Sequence, residues 1–243
     1  MKTAAVKSLV YKEFYMARKT LLIDVMTFLI FALIGILAEI SFRSGNLALL
    51  SDAIKDDIKD TVDFSAICLP VFMVCLFTNS FSEVSLKDDV AAWKRFCYSA
   101  PASHVDFALA KYMSFLITVL AEIMISFIYA AFVCRIIGTS LSALYIAYIL
   151  ACVALTTLMA VLDHVGILLF HTKDKAGLFM FGVLIGIILL PALVYTNLAD
   201  AEITRETVNN SFLLFLPWLP VMTVVFLAAG CAASIILFKR REA

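Results

Sequence analysis

Six long apolar runs limit this chain to one kind of fold. Each is long enough for a helix that crosses a bilayer, which takes roughly 20 consecutive apolar residues, and none alternates polar and apolar residues as a barrel strand does. The sequence is 63% hydrophobic and 16% charged, with a mean hydropathy of +1.01, values that soluble domains do not reach. These features predict an all-α integral membrane protein, with one bundle of six transmembrane helices over residues 20–238 of the single domain 1–243. The predicted spans are 20–41, 64–82, 106–135, 141–163 with 170 as an alternative end, 177–196 and 212–238.

The positive charges predict how these spans are oriented. Fourteen of the 19 Lys and Arg residues lie in the first 19 residues, in the second and fourth loops with their flanks, and at the end of the chain. Because Lys and Arg are retained on the cytoplasmic side, both termini are predicted to be cytoplasmic, including the tail 239–243. The basic residues on the predicted outer side are Arg43, Lys55, Lys59, Arg135 and Arg205.

Two segments outside the spans show helical periodicity. In residues 1–19, an apolar stripe includes Val6, Val10 and Phe14, and most basic residues lie off it. This pattern predicts an amphipathic helix in the inner headgroup layer before the chain turns into the bilayer, with a simple basic stop signal as the alternative. Over residues 44–63, apolar residues recur every four positions beside five aspartates, which predicts a short amphipathic helix on the outer surface.

Residues 83–100, which we call the elbow, are unusually polar for this chain. Ser80 and Glu83 have the spacing of a capping box, which predicts that a new helix starts as the second span ends. A proline then interrupts that helix, and Ser103 followed by Asp106 predicts the start of the third span. We therefore expect an ordered cytoplasmic helix that presents a polar face. The alternative is an ordinary surface helix in a long loop.

Motifs for enzymatic chemistry do not occur in the sequence. No Gly-Lys pair is followed by Ser or Thr, so the chain lacks a P-loop that would bind nucleotide phosphates. The three histidines form no H-E-x-x-H pattern, and there is no G-x-S-x-G motif. The six cysteines are scattered, as small buried apolar residues are. The chain is therefore predicted not to be an enzyme by itself, to hold no metal or cofactor, and to bind no nucleic acid.

Two features inside the predicted spans are candidates for function or packing. Glu122 lies 11 residues beyond Lys111, about 16 Å along a helix, and therefore near mid-membrane. A buried acid there either lines a polar path that attracts cationic molecules or is neutral and hydrogen-bonded between helices, and we favour the second interpretation. Gly182 and Gly186 form a G-x-x-x-G pair that permits close helix approach, within the chain or across a dimer seam.

The elbow and the start of the third span carry a resemblance to a known family. The stretch W-K-R-F-C-Y-S-A-P-A-S, followed by F-A-L-A-K-Y, resembles the segment after the second span of ABC-2-type permeases, the membrane subunits of ATP-binding-cassette exporters. The layout is also similar to theirs over the whole chain. His104 and the stretch 170–175 depart from the family pattern. The matching positions are Trp93, Ser99, Pro101, Ser103, Lys111 and Tyr112.

The resemblance implies a function and a set of partners. In such permeases a coupling helix between spans two and three docks on a separate ATPase subunit, which binds ATP and Mg²⁺. A second permease chain, identical or homologous, completes the complex in the bacterial plasma membrane. The small size resembles exporters of amphipathic or antimicrobial peptides. Exporters of lipids, drugs or other small molecules are the alternative, as is a membrane scaffold without transport. The residues that would contact the ATPase are Asp88, Asp89, Trp93, Lys94, Arg95 and Phe96.

Overall fold

The chain folds into long helices in a computed structural model. The structure describes residues 3–44, 52–81, 84, 103–170, 174–175, 177–180, 182–183 and 213–240, and these contain no strand. The helices are α1 (Thr3–Arg43), α2 (Asp52–Cys75), the 3₁₀ helix Leu76–Asn79, α3 (His104–Ile137), α4 (Ala143–Phe170) and α5 (Trp218–Arg240). Within the part of the chain that the structure describes, five helices are long and apolar enough to cross a membrane, which confirms a helical multi-pass membrane protein. The predicted span 177–196 lies mostly outside the described residues.

α1 is longer than a bilayer requires. Its 41 residues extend about 60 Å at the rise of an α-helix, whereas the hydrocarbon core is about 30 Å thick. The helix continues without a break through Thr20, so the turn predicted between the segment 1–19 and the first span is absent. The physical reason is that the sequence has no Gly or Pro between Thr3 and Ile34 that would interrupt the helix.

α2 also joins two segments that the sequence analysis separated. The outer amphipathic segment predicted over 44–63 forms the first part of α2 from Asp52, and the helix continues into the membrane span and past Pro70 within it. After Cys75 the backbone tightens into the 3₁₀ helix, and Ser80 stays right-handed helical with φ −56° and ψ −27°. Ser80 and Phe81 are α-helical directly after the 3₁₀ helix, so a helix does follow the second span here. Ser80 is not its N-cap, because a residue that caps a helix N-terminus has an extended backbone.

α3 begins as predicted. Ser103 has an extended backbone with φ −86° and ψ 161°, and both halves of the capping box are present. The backbone N–H of Asp106 donates to Ser103 Oγ at 3.2 Å, and the backbone N–H of Ser103 donates to Asp106 Oδ2 at 2.9 Å. The helix ends at Gly138, whose φ of 73° is left-handed and therefore favours glycine.

Two clusters of buried apolar side chains hold the helices together. The outer core, named from the predicted orientation, surrounds Ile67, Val133 and Ile149. It joins the four helices α1, α2, α3 and α4. The inner core surrounds Phe81 and Val161 and joins α1, α3, α4 and α5. Apolar side chains on the opposite faces of the helices are exposed, as expected for helices that contact lipid. The inner core contains Phe81 and Val84 at the start of the elbow, and Tyr112 and Phe115 of α3, the helix that follows the elbow.

Candidate functional site

The residues predicted to contact an ATPase, Asp88, Asp89, Trp93, Lys94, Arg95 and Phe96, lie outside the described residues. The structure does describe where the elbow is attached to the bundle. Phe81 and Val84 stand at its start, and both are buried in the inner core. Ser103 and Asp106 stand just beyond its end, where they cap α3. The attachment of the elbow is therefore part of the packed bundle.

Lys111 is buried at this attachment and bonds to two other segments. Its side chain is 5% exposed. Nζ donates to Glu13 Oε2 of α1 at 2.7 Å, and it donates to the backbone carbonyl of Phe81 as well. Glu13 is 7% exposed, and its other oxygen, Oε1, lies 3.5 Å from Nζ of Lys12. One ammonium group thus joins α1, α3 and the chain just before the elbow.

A second polar contact links α1 to the same short stretch of backbone. Ser80 Oγ donates to Asp24 Oδ2. Asp24 is partly buried and lies near the middle of α1, far from both ends of the helix. This carboxylate therefore links α1 to the residues that follow the 3₁₀ helix.

Glu122 bonds to the 3₁₀ helix that follows α2. Its side chain is 0% exposed, and Oε1 accepts hydrogen bonds from the backbone N–H of Thr78 at 2.6 Å and from Thr78 Oγ1 at 2.7 Å. Oε2 is buried without a hydrogen-bond partner among the described residues. The Glu122 carboxyl therefore satisfies a backbone donor where the helix geometry changes, at a depth where water is excluded.

These three contacts form one cluster, which we call the base cluster and define as Glu13, Asp24, Thr78, Ser80, Phe81, Lys111 and Glu122. Four of its members lie on α1 and α3, and the other three are consecutive or nearly consecutive residues at the end of the second span. Polar groups buried in a membrane are costly unless they are paired. The three contacts converge on residues 78–81. The inner part of the second span, together with Glu122 about 16 Å along α3 from Lys111, is therefore the candidate functional site.

Close helix packing occurs near the base cluster at a glycine that the sequence analysis did not select. A Cβ added to Gly230 of α5 would lie 2.4 Å from Val161 Cγ1 and 2.7 Å from the Tyr112 hydroxyl. The Tyr112 hydroxyl also lies 3.1 Å from Ser234 Oγ. By contrast, a Cβ on Gly182 would meet nothing within 4 Å in the described part of the chain. Its predicted partner Gly186 lies outside that part, so the predicted pair stays a prediction.

Two patterns along the helices indicate members of the base cluster. Glu13 lies three residues after Val10 and four before Ala17, and therefore on the apolar stripe of α1, where a buried acid needs a partner. On α3, buried polar residues recur at spacings of three and four. They are Lys111, Ser114, Thr118, Glu122 and Ser126.

The base cluster offers hydrogen bonds and ion pairs rather than a metal centre. Among the residues that the structure describes, no group of three or more His, Cys, Asp or Glu side chains is placed to hold a metal ion. No protein-family model matches the chain, and no curated protein matches it either.

Proposed function

We propose that this chain is the permease subunit of an ATP-binding-cassette exporter of the ABC-2 type, energised by a separate ATPase subunit. The elbow would serve as the coupling helix, and two permease chains would form the path across the membrane. The five long apolar helices support the membrane part of this proposal. The resemblance of residues 93–112 to such permeases supports the rest.

The observation that carries the proposal is the way in which the elbow is attached. A coupling helix transmits force only if its ends are fixed to the spans, since an exposed loop on mobile ends would absorb a push from a partner. Phe81 at the start is 0% exposed, and a capping box fixes the start of α3 beyond the end. Lys111 bonds the two sides to each other. This arrangement suits the transmission of movement from a cytoplasmic partner.

Within this proposal, Glu122 acts at a helix junction. Alternating access requires the spans to rearrange, and a short 3₁₀ stretch within a span often marks a hinge. Glu122 holds this stretch through both Thr78 contacts. Its complete burial favours the junction over direct contact with a cationic cargo. We therefore expect Glu122→Gln, which retains an acceptor oxygen, to export a cationic peptide at the wild-type rate.

We propose amphipathic or antimicrobial peptides as the cargo, on the resemblance alone. Lipids, drugs and other small molecules are the alternative. A transport assay in vesicles that contain the complex distinguishes the two classes of cargo. A labelled cationic amphipathic peptide should accumulate in the vesicles when ATP is present, and a lipophilic dye should not.

The elbow provides the direct test. Asp89→Lys combined with Arg95→Glu should leave the chain inserted in the membrane but abolish copurification of a P-loop ATPase from the cells that make the chain. Truncating one partner of a buried charge pair at an interface costs about 2–5 kcal/mol, whereas an exposed pair contributes less than about 1 kcal/mol. Loss of binding by more than about tenfold therefore distinguishes a subunit contact from a free surface.

A matched control is the same kind of charge exchange on the predicted outer side, Asp56→Lys combined with Lys59→Glu. It should leave copurification unchanged. If no P-loop ATPase copurifies with the wild-type chain, or if the elbow variant retains it at wild-type affinity, the proposed function is wrong and a scaffold without ATP-driven transport is favoured.

A further inference from the structure

The two oxygens of the buried Glu122 carboxyl have unequal surroundings. Oε1 accepts both hydrogen bonds from Thr78. Oε2 is also buried, and no residue that the structure describes bonds to it. An ionised carboxylate accepts hydrogen bonds at both oxygens, and a carboxylate left unpaired away from water costs so much that it binds a proton instead. Oε2 is therefore the atom at which this carboxyl would carry a proton.

Titratable side chains from three other helices lie near Glu122, and none of them supplies a positive charge. Asp24 of α1 is a second acid within electrostatic reach of it, and Lys19, the basic residue nearest to Asp24 along α1, is exposed. Cys75 of α2 is a thiol within the same reach, and Cys152 of α4 is a further thiol close to Cys75. Each of these acids and thiols is neutral or negative. A negative charge on Glu122 would therefore meet repulsion rather than a partner.

The positive side chains that face the same bundle interior lie at other levels. Lys111 is about 16 Å away along α3 and bonds Glu13. His164 of α4 packs against Phe115, which lies two helical turns, or about 10 Å, from Glu122. On the part of the chain that the structure describes, no three His, Cys, Asp or Glu side chains are grouped to hold a metal ion. A proton is thus the cation that suits this site.

We propose that Glu122 is a proton-binding site, and that its proton keeps the 3₁₀ helix Leu76–Asn79 packed against α3. The neutral carboxyl still accepts both bonds from Thr78 at Oε1, while Oε2 carries the hydrogen. When the proton leaves Oε2 for a water molecule, the charge that remains requires hydration. Water then enters between the 3₁₀ helix and α3, and the two separate. The packed form is favoured at low pH and lost as the pH rises, because it holds a proton that the open form releases.

Infrared spectroscopy detects this proton on the full chain in a detergent without ester groups. At about pH 8 a glutamic acid in water is ionised, since its ordinary pKa is about 4.3. The difference spectrum between wild type and Glu122→Gln should nonetheless contain the C=O stretching band of one protonated carboxyl, because the other carboxyls cancel. Asp24→Asn, which removes the neighbouring acid, is the matched control and should retain the band. A difference spectrum without the band, or loss of the band in Asp24→Asn, overturns the proposal.

Cys75 reports whether the 3₁₀ helix separates, because it directly precedes that helix and is 0% exposed. The chain for this experiment retains Cys75 and has its other five cysteines replaced. Its rate of reaction with a small water-soluble methanethiosulfonate is compared between wild type and Glu122→Gln. The thiol itself reacts faster at high pH in both chains, so the ratio of the two rates reports the effect of Glu122.

This ratio should be near one at neutral pH. It should rise at alkaline pH by up to about tenfold per pH unit, the limit for the release of a single proton. A ratio that does not change with pH overturns the proposal.

A comparison within wild type needs no variant. The band of the protonated carboxyl should disappear over the same pH range in which Cys75 becomes reactive. Reaction of Cys75 at a pH where the band is intact would mean that the 3₁₀ helix opens without loss of the proton, which overturns the proposal. All of these experiments use the chain alone, so their outcome does not depend on whether an ATPase binds to it.

Discussion

One ion pair joins two helices beside the inner core, whereas two tyrosine hydroxyls bond backbone carbonyls in the outer core. Glu39, towards the outer end of α1, is buried as well. At the inner end, Lys111 bonds Glu13 at 2.7 Å. At the outer end, the Tyr129 hydroxyl donates to the Ala66 carbonyl at 2.7 Å, and the Tyr148 hydroxyl donates to the Cys68 carbonyl at 3.2 Å. Both regions are packed, but the inner one contains charged side chains that can exchange one hydrogen-bonding partner for another.

This difference indicates where movement is to be expected. Tyrosine-to-carbonyl bonds hold two backbones in a fixed relation, and α1 approaches α2 closely at Gly35, where an added Cβ would lie 3.0 Å from the Ala66 carbonyl oxygen. Ion pairs and a 3₁₀ stretch at the inner end can reach a second arrangement with other partners. In the proposed export cycle, the outer core therefore stays closed while the inner core rearranges.

The prediction with the largest expected effect tests which side of the membrane the inner core and the outer core face. Inner and outer follow from the distribution of basic residues. In a background without the six native cysteines, single cysteines at Asp56 and Asn209 should react with an impermeant maleimide in intact cells, and a cysteine at Asp89 should react only after lysis. Reaction of the Asp89 site from outside would reverse the orientation, and with it the assignment of the elbow to the cytoplasm.

Local sequence signals predicted the membrane helices, whereas contacts between residues far apart in the sequence could not be predicted. The apolar runs gave the membrane helices, and the Ser103 and Asp106 spacing gave the start of α3, because both signals are local. The base cluster joins residues far apart in sequence, such as Glu13 and Lys111. A polar stripe on one helix shows that partners are needed, but it does not identify which helix supplies them.

The largest effect on stability is expected from the loss of the Glu122 side chain. Glu122→Leu leaves the backbone N–H and the hydroxyl of Thr78 buried without their acceptor, and each unsatisfied donor costs about 1–3 kcal/mol. The melting temperature in detergent, followed with a thiol-reactive dye that reports exposure of the buried cysteines, should fall clearly. Glu122→Gln is the control and should change it little. Equal melting of both variants would contradict the role of Glu122 as the acceptor for Thr78.

A smaller loss is expected where the helices pack most closely. Gly230→Ala places a methyl group 2.4 Å from Val161 Cγ1, an overpacking that costs about 1–3 kcal/mol and is partly offset by about 1 kcal/mol of helix propensity. Gly35→Ala places a methyl group 3.0 Å from the backbone carbonyl oxygen of Ala66, a milder overlap with an atom that cannot move aside easily, so a smaller loss is expected. Gly182→Ala is the control, since an added Cβ there meets nothing within 4 Å among the residues that the structure describes. A greater loss for Gly35→Ala than for Gly230→Ala would show that the outer core is the tighter one.

The smallest effect compares one tyrosine hydroxyl from each core. Tyr129→Phe removes the bond to the Ala66 carbonyl, and Tyr112→Phe removes the contact with Ser234 Oγ at 3.1 Å. Hydrogen bonds between membrane helices contribute about 0.6–2 kcal/mol, so both variants should remain folded. Tyr129→Phe should lose more stability, because its bond is shorter and ends on a backbone carbonyl that finds no replacement, whereas Ser234 is free to rotate to a carbonyl of its own helix.

In transport the order of the two effects should reverse. Tyr112→Phe should alter export, since the inner core rearranges, and Tyr129→Phe should not. Altered export by Tyr129→Phe alone would place the movement in the outer core.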